Sequence, residues 1–377
     1  MEQIEPIRVA QIMGKWLGGG VEAVIMNYYR HIDRNKIQFD FICDEDSTNI
    51  PYEEIESLGG RVIICPPYQK LPRYIKELKR IFKENNYQIV HSNINTLSVF
   101  PLYAAKKARV KVRIAHSHST TSPKEFKRNI MKNVLKHFSK LYATDYFACS
   151  EKAGRYQFGN KAFDSGKVTI INNAIDVGKY KFNADIRKKV RNELGIDENT
   201  LVIGHVGRFV TVKNHKFIIK LFNEFLKSSI NSKLILIGDG PLKGEIENLI
   251  DSLKIHNKVM LLGQREDVER FYQAMDILIF PSLYEGFGNV LLEAQCSYLP
   301  CVCSSNVPSL DCYNDNLFFI SLDAPIEDWI NSILIIKNSN RMMQTKLQNS
   351  NFDILVENNK LVDSYLERLK KCQKLVF

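Results

Sequence analysis

"IRVAQIMGKWLGGGVEAVIMNYYRH", residues 7 to 31, decides the reading of the fold. An apolar strand-like run, a loop ending in Gly18, Gly19 and Gly20, and a helical run from Val21 to His31 follow one another. In open α/β sheets ligands bind beyond the carboxyl ends of the strands, where such loops lead into helix N-termini. Glycine lets backbone N–H groups approach an anion with no Cβ in the way, and the helix dipole favours negative charge there. A flexible turn is the alternative reading, and the spacing fits neither the Walker lysine pattern nor GxGxxG.

The same alternation runs down the chain. "QFDFIC", "GRVIIC", "YQIVHSN", "VRIAHSH", "YFACS" and "KVTIINN" alternate with amphipathic segments, then "LVIGHVG", "KLILIGDG", "KVMLLG", "ILIFPS" and "PCVCSS" repeat the plan. Strands alternating with helices read as a parallel sheet covered on both faces. The expectation is α/β with two doubly wound domains, 1–180 and 181–359, joined near residues 172–183. The closing helix, 360–377, is expected to cross back to the first domain.

The chain has 377 residues, 45% hydrophobic and 25% charged, a globular composition long enough for two or three domains. No apolar run reaches the ~18–20 residues that span a bilayer, and the start lacks a secretory layout, so a cytoplasmic protein is expected. The eight cysteines lie mostly in apolar runs and read as buried thiols; those from Cys296 to Cys312 match no zinc spacing. Residues 1–180 hold 28 Lys and Arg against 18 Asp and Glu, whereas 181–377 hold 24 of each. The net charge of +10 therefore belongs to the first half.

Several loops carry candidate chemistry. "RIAHSHSTTS" puts His116 and His118 at a strand end, turned to one face by strand alternation. In "GHVGRFVTVKNH" Arg208 and Lys213 lie on the loop after a strand, a fork and a point charge suited to a diphosphate. In "PSLYEGFGNVLLEA" Glu285 precedes Gly286 and Gly288, and Glu293 lies about a turn into the helix that starts near Asn289. Carboxylates are acceptor-only groups, suited to sugar hydroxyls. "DED", Asp44 to Asp46, has the form of a metal-binding acid pair, but it stands apart from these loops, and no metal site is expected.

"GRFVTVKN", "LILIGDGPLKGEI", "LLGQREDVERFYQAMDILIFPSLYEGFGNVLLEA" and the early glycine triplet occur in one order. In that order the chain resembles the retaining GT-B glycosyltransferases of family four, and the ending "FFISLDAPIEDWINSIL" looks like the branch that builds capsular, exopolysaccharide and O-antigen repeats. The resemblance implies two Rossmann-like domains facing a central cleft. The donor, a nucleotide diphosphate sugar such as a UDP-sugar, would lie mainly on the second domain, with no metal or other cofactor. Arg208 and Lys213 match the diphosphate-binding pair, Glu293 the carboxylate on the ribose, and Glu285 the one facing the donor sugar. Gly207 and Gly238 fall in the matching strand-end loops. The backbone of Gly263, Gln264 and Arg265 would meet the base, and Gly286, Phe287, Gly288 and Asn289 would line sugar and phosphate. His118 matches the active-site histidine, with His116 beside it, and the glycine loop would close over the phosphates. The branch often has another glutamate near "VP", where this chain has Ser309 and Leu310.

A lipid-linked glycan acceptor is expected at the basic half. Between Lys106 and Lys140 there are eleven Lys and Arg and one acid, Glu125. Lys124, Arg128, Lys132, Lys136 and Lys140 recur at every fourth residue, beside an apolar line of Phe126, Ile130, Val134 and Phe138. Like charges at that spacing disfavour an isolated helix, and an anionic membrane surface on the cytoplasmic side would relieve the repulsion. A solvated face over a core stripe is the plainer reading. Nucleic acid is not expected, since no known motif accompanies the charge. The rivals are a nucleotide-sugar epimerase of the same fold and a catalytically silent membrane-binding scaffold. Oligomeric state does not follow from the sequence.

Overall fold

The computed structural model describes residues 5–118, 133–285, 288–309, 314–339, 341 and 345–374. The chain forms two compact units, one of residues Met1–Ala174 with Ile354–Phe377 and one of Ile175–Asp353.

In the first unit, strands β1 (Ile7–Gly14), β2 (Ile37–Asp44), β3 (Arg61–Cys65), β4 (Ile89–Ser92), β5 (Val112–Ser117), β6 (Asp145–Ala148) and β7 (Val168–Ile170) form one parallel sheet in the order β3-β2-β1-β4-β5-β6-β7. Strand β2 is buried at every position, as expected of a parallel strand covered on both faces. Alternation divides each strand between two cores. Val9, Met13, Ile89 and Ile114 meet the helix Gly20–His31 and the last helix, Ile354–Lys374. Ala10, Ile12, Val90 and Ala115 meet the helices Leu71–Glu84 and Val99–Lys107.

The second unit repeats this with β8 (Leu201–Val206), β9 (Ser232–Ile237), β10 (Val259–Leu261), β11 (Ile277–Phe280), β12 (Cys301–Ser304) and β13 (Leu317–Ile320), parallel and ordered β10-β9-β8-β11-β12-β13. Strand order reverses between β1 and β4 in one sheet and between β8 and β11 in the other. A crevice at the carboxyl ends of such a pair is where open sheets of this type bind ligands.

The chain leaves the first unit at Ala174, ahead of residue 180, because Ile175 and Val177 already belong to the second core. It returns at Ile354, ahead of residue 360, because Ile354 packs into the first core. The return helix is tied down by Glu357, whose Oε1 accepts from the Asn172 backbone N–H at 2.9 Å, and by the Arg368–Asp145 pair at 2.8 Å. Among the described residues no helix is long and apolar enough to cross a membrane.

The helix expected from Lys124 lies outside the described residues as far as 132, taking Lys124, Arg128 and Lys132 with it. Residues 133–136 are helical and 137–141 form a turn, so Lys140 does not continue a helical row. Its Nζ donates to the Phe158 carbonyl at 3.0 Å, and Lys136 Nζ lies 5.2 Å from the centroid of the Tyr156 ring. Val134 and Phe138 are 54% and 48% exposed, so this part of the apolar line is not a core stripe. The described cysteines are free thiols, all buried except the half-buried Cys372.

Close backbone packing at the strand ends leaves no room for a side chain at Gly238. It has φ +136°, and a Cβ there would stand 2.2 Å from the Gly207 carbonyl oxygen. Gly238→Ala is therefore expected to destabilise the protein by about 2 kcal/mol or more, read as a lower urea midpoint with an unchanged slope. An unchanged midpoint would contradict this account of the loop.

Candidate functional site

The loops after β8, β9, β10 and β11 are laced together by their backbones. Gly207 N–H donates to Ile237 O at 2.9 Å, Gly238 N–H to Gly263 O at 2.8 Å, and Leu283 N–H to Val212 O at 2.8 Å. Asn214, in the left-handed region at φ 58°, caps the helix His215–Phe225 and donates from its side chain to Pro281 O. Lys213 is thereby delivered to Glu285, with Nζ 2.7 Å from Oε1. Their side chains are only 17% and 12% exposed, and Nζ also lies 5.0 Å from the centre of the Phe280 ring. Two charges removed from water together need each other, because deleting one strands the other. Arg208, on the same loop, is exposed and has no ion-pair partner among the described residues. The loop thus presents one neutralised cation and one free fork.

Glu293 lies on the helix Asn289–Cys296, whose cap Gly288 has φ 87°. It is half-buried, and its Oε2 accepts from the Tyr272 hydroxyl at 2.7 Å. Burial pushes its carboxyl up to about 7, against the pull of the Tyr272 hydrogen bond and of Lys179 and Lys213. Tyr272 is fully buried and is held by Arg341, which donates to its carbonyl at 3.0 Å. Neither Tyr272 nor Arg341 stands out in the sequence.

Gly263 has φ 67° and open space at its missing Cβ, and Gln264 is exposed. Arg265 is committed to Asp267 through two hydrogen bonds, 2.8 and 2.9 Å. Gly286 and Phe287 lie outside the described residues.

In the first unit the glycine loop has an internal occupant. The helix begins at Gly20, and Glu22 in its first turn accepts from the Leu17 N–H at 3.2 Å. A Cβ at Gly19 would stand 3.0 Å from that carboxylate. Glycine at 19 thus makes room for the chain's own anion, while Gly18, at φ 73°, has open space around it. In "DED", Glu45 pairs with Lys70 and Asp46 with Lys15, and burial raises the Asp44 carboxyl to about 7. Among the described residues no group of three or more His, Cys, Asp or Glu is placed to hold a metal ion.

His116 and His118 do come together, with ring centroids 3.8 Å apart. They are 2% and 7% exposed, and burial lowers the His118 imidazole to about 3, so it is neutral near pH 7. His118 Nε2 lies 3.1 Å from Asn93 Oδ1, and its backbone N–H donates to Asn95 Oδ1 at 2.7 Å. His116 Nδ1 meets His91 Nε2 at 2.9 Å. The strand reading of "YQIVHSN" missed His91 and Asn93 as partners, though both stand at the carboxyl end of β4.

Comparison with known proteins identifies the family. Residues 186–346 match the family described as "Glycosyl transferases group 1", and residues 18–179 match "Glycosyltransferase Family 4". The putative glycosyltransferase EpsF of Bacillus subtilis (strain 168) is 35% identical over 332 residues, 86% of each chain. The Escherichia coli UDP-Gal:alpha-D-GlcNAc-diphosphoundecaprenol alpha-1,3-galactosyltransferase is 24% identical over 96% of this chain and 97% of its own. Among solved structures, Anabaena Alr3699/HepE in complex with UDP superposes with a TM-score of 0.78 at 21% identity, covering 96% of this chain and 100% of that one. The two doubly wound units and these matches make the chain a member of the family 4 glycosyltransferases, with the GT-B fold.

Proposed function

We propose that this protein is a retaining glycosyltransferase that moves a hexose or N-acetylhexosamine from a UDP-sugar to a lipid-linked glycan in bacterial surface polysaccharide synthesis. The observation that carries the proposal is the half-buried Lys213–Glu285 pair beside the free Arg208 at the carboxyl ends of β8 and β11. The diphosphoundecaprenol-linked acceptor of the E. coli relative and the UDP bound to the Anabaena neighbour support the choice of substrates.

In the proposed reaction the bond from the anomeric carbon to the β-phosphate oxygen breaks, and the acceptor hydroxyl oxygen bonds to the same face of that carbon. The acceptor's proton passes to the departing phosphate. Lys213 and Arg208 stabilise the charge that develops on the diphosphate, which is electrostatic catalysis with no metal in the step. Lys213 has three donors, so it serves a phosphate oxygen while still bonded to Glu285. Glu293 accepts from the ribose hydroxyls, Glu285 faces the sugar, and His118 acts on the sugar in the transfer step. The chain works at the cytoplasmic membrane surface as a peripheral protein, drawn there by its basic segment.

Lys213→Ala is expected to weaken UDP affinity about ten- to a hundredfold, as loss of a charged hydrogen bond implies. His118→Ala is expected to lower kcat about a hundredfold with UDP affinity kept, and wild-type turnover should persist in EDTA. Calorimetry and a sugar-release assay, after melting curves establish that each variant folds, check both. Wild-type values in both variants would overturn the assignment.

Glu293 gives a pH signature. Its folded carboxyl stands at about 7 against an ordinary 4.5, so the unfolded chain gives up the proton first. Its contribution to stability is complete below about pH 4.5 and is lost as pH rises through about 7, by the proton-linkage relation. Ribose donors favour the ionised form, so UDP affinity should rise with pH up to about 7 and then level off. Glu293→Gln should flatten that rise in a calorimetric titration; an unaltered profile would remove Glu293 from the ribose.

Reversing the charge at Lys132 and Lys136 is expected to lower sedimentation with anionic vesicles while leaving UDP affinity intact. Equal sedimentation of variant and wild type would dismiss the membrane reading.

A further inference from the structure

Strand alternation puts Gln11 of β1, His91 of β4 and His116 of β5 on the sheet face that carries the last helix, and Gln11 is the register partner of His91. From that helix the Tyr365 hydroxyl reaches in, 3.1 Å from Gln11 Nε2 and 2.6 Å from His91 Nδ1. Asn93 Nδ2 lies 2.9 Å from Gln11 Oε1 and 3.6 Å from Met13 Sδ. These groups are all buried, and they form one continuous chain from His118 to His116.

The direction of every hydrogen bond in that chain follows from one atom. A thioether has no proton to give, so the Asn93 atom facing Met13 is the NH₂, and Oδ1 faces His118. His118 Nε2 therefore carries its proton and Nδ1 is bare. Asn93 also donates to Gln11 Oε1, which leaves the Gln11 NH₂ to donate to the Tyr365 oxygen. The Tyr365 hydroxyl proton is then free only for His91 Nδ1, and His91 Nε2–H donates to His116 Nδ1. His116 keeps its proton on Nε2. The two ends of the chain, His118 Nδ1 and His116 Nε2, are buried with no hydrogen-bond partner among the described residues.

We infer that Tyr365 is a positioning residue. Through Gln11 and His91 it fixes the proton of His116 on Nε2, so the two imidazoles, tilted by 34° to each other, offer a ligand hydroxyl one bare acceptor, His118 Nδ1, and one bare donor, His116 Nε2–H. A hydroxyl both gives and takes a hydrogen bond, which is the complement of that pair. The last helix thus contributes to recognition of a sugar or acceptor hydroxyl without touching it. The kinetic consequence rests on the role proposed for His118, whereas the tautomers do not.

The test uses the full-length protein with nitrogen-15 histidine, in which long-range proton–nitrogen correlations distinguish the two neutral tautomers. Wild type is expected to show His91, His116 and His118 neutral and protonated at Nε2 between about pH 5 and 8, a range in which free histidine titrates. In Tyr365→Phe, His91 and His116 should lose the single Nε2–H tautomer while His118 keeps it. With UDP affinity unchanged, kcat should fall about tenfold or more and KM stay near wild type, as for loss of tautomer control. An Nδ1–H tautomer at His116 or His118 in wild type overturns the inference, even if Tyr365→Phe fails to fold. An unchanged His116 tautomer in a folded Tyr365→Phe also overturns it. Fixed tautomers with no transferase activity on any donor would instead refute the proposed function and leave the hydrogen-bond chain standing.

Discussion

A lysine and a glutamate taken out of water together, Lys213 and Glu285 at the ends of β8 and β11, are the interaction on which the second unit's site depends. Either charge alone would be costly at that burial, which favours holding the two loops that bear them in register. The Leu283–Val212 hydrogen bond and the absence of a side chain at Gly238 hold that register. In the proposed function the pair keeps a cation poised without leaving it bare, so that an arriving diphosphate need not recruit that cation from solvent. Arg208, free on the same loop, supplies the planar fork that a phosphate matches.

The first unit handles buried polarity in the opposite way. Its strand ends carry neutral groups joined in a directed chain, and burial keeps His91, His116 and His118 uncharged. A neutral chain of this kind costs little to bury because each donor but the last has an acceptor. The same parallel-sheet plan therefore presents fixed charge in one unit and fixed hydrogen-bond polarity in the other.

The sheets were legible because strands buried on both faces must be apolar, and "DFIC", "LILIG" and "ILIFPS" leave few other readings. The strand-end placing of Arg208 and Lys213 was legible from the apolar runs that precede them, and the structure brings Lys213 to Glu285. What escaped depends on distance along the chain. Tyr365 is 354 positions from Gln11, and no local pattern announces that contact. Tyr272 looks like one more core aromatic of its helix until its hydroxyl is found on Glu293. The glycine triplet read as a ligand cradle, yet at Gly19 the neighbour is Glu22 of the same chain, because a side chain five residues ahead folds back on Leu17. The basic row every fourth residue assumed one unbroken helix, and the turn at 137–141 ends it before Lys140.

In the proposed function the second unit grips a nucleoside diphosphate through Lys213, Arg208 and Glu293. A crystal structure of the full chain with UDP bound tests it most directly. Diphosphate oxygens are expected within hydrogen-bond distance of Lys213 Nζ and the Arg208 guanidinium, with a ribose hydroxyl on the Glu293 carboxylate. Ordered UDP that leaves all three side chains untouched would contradict it.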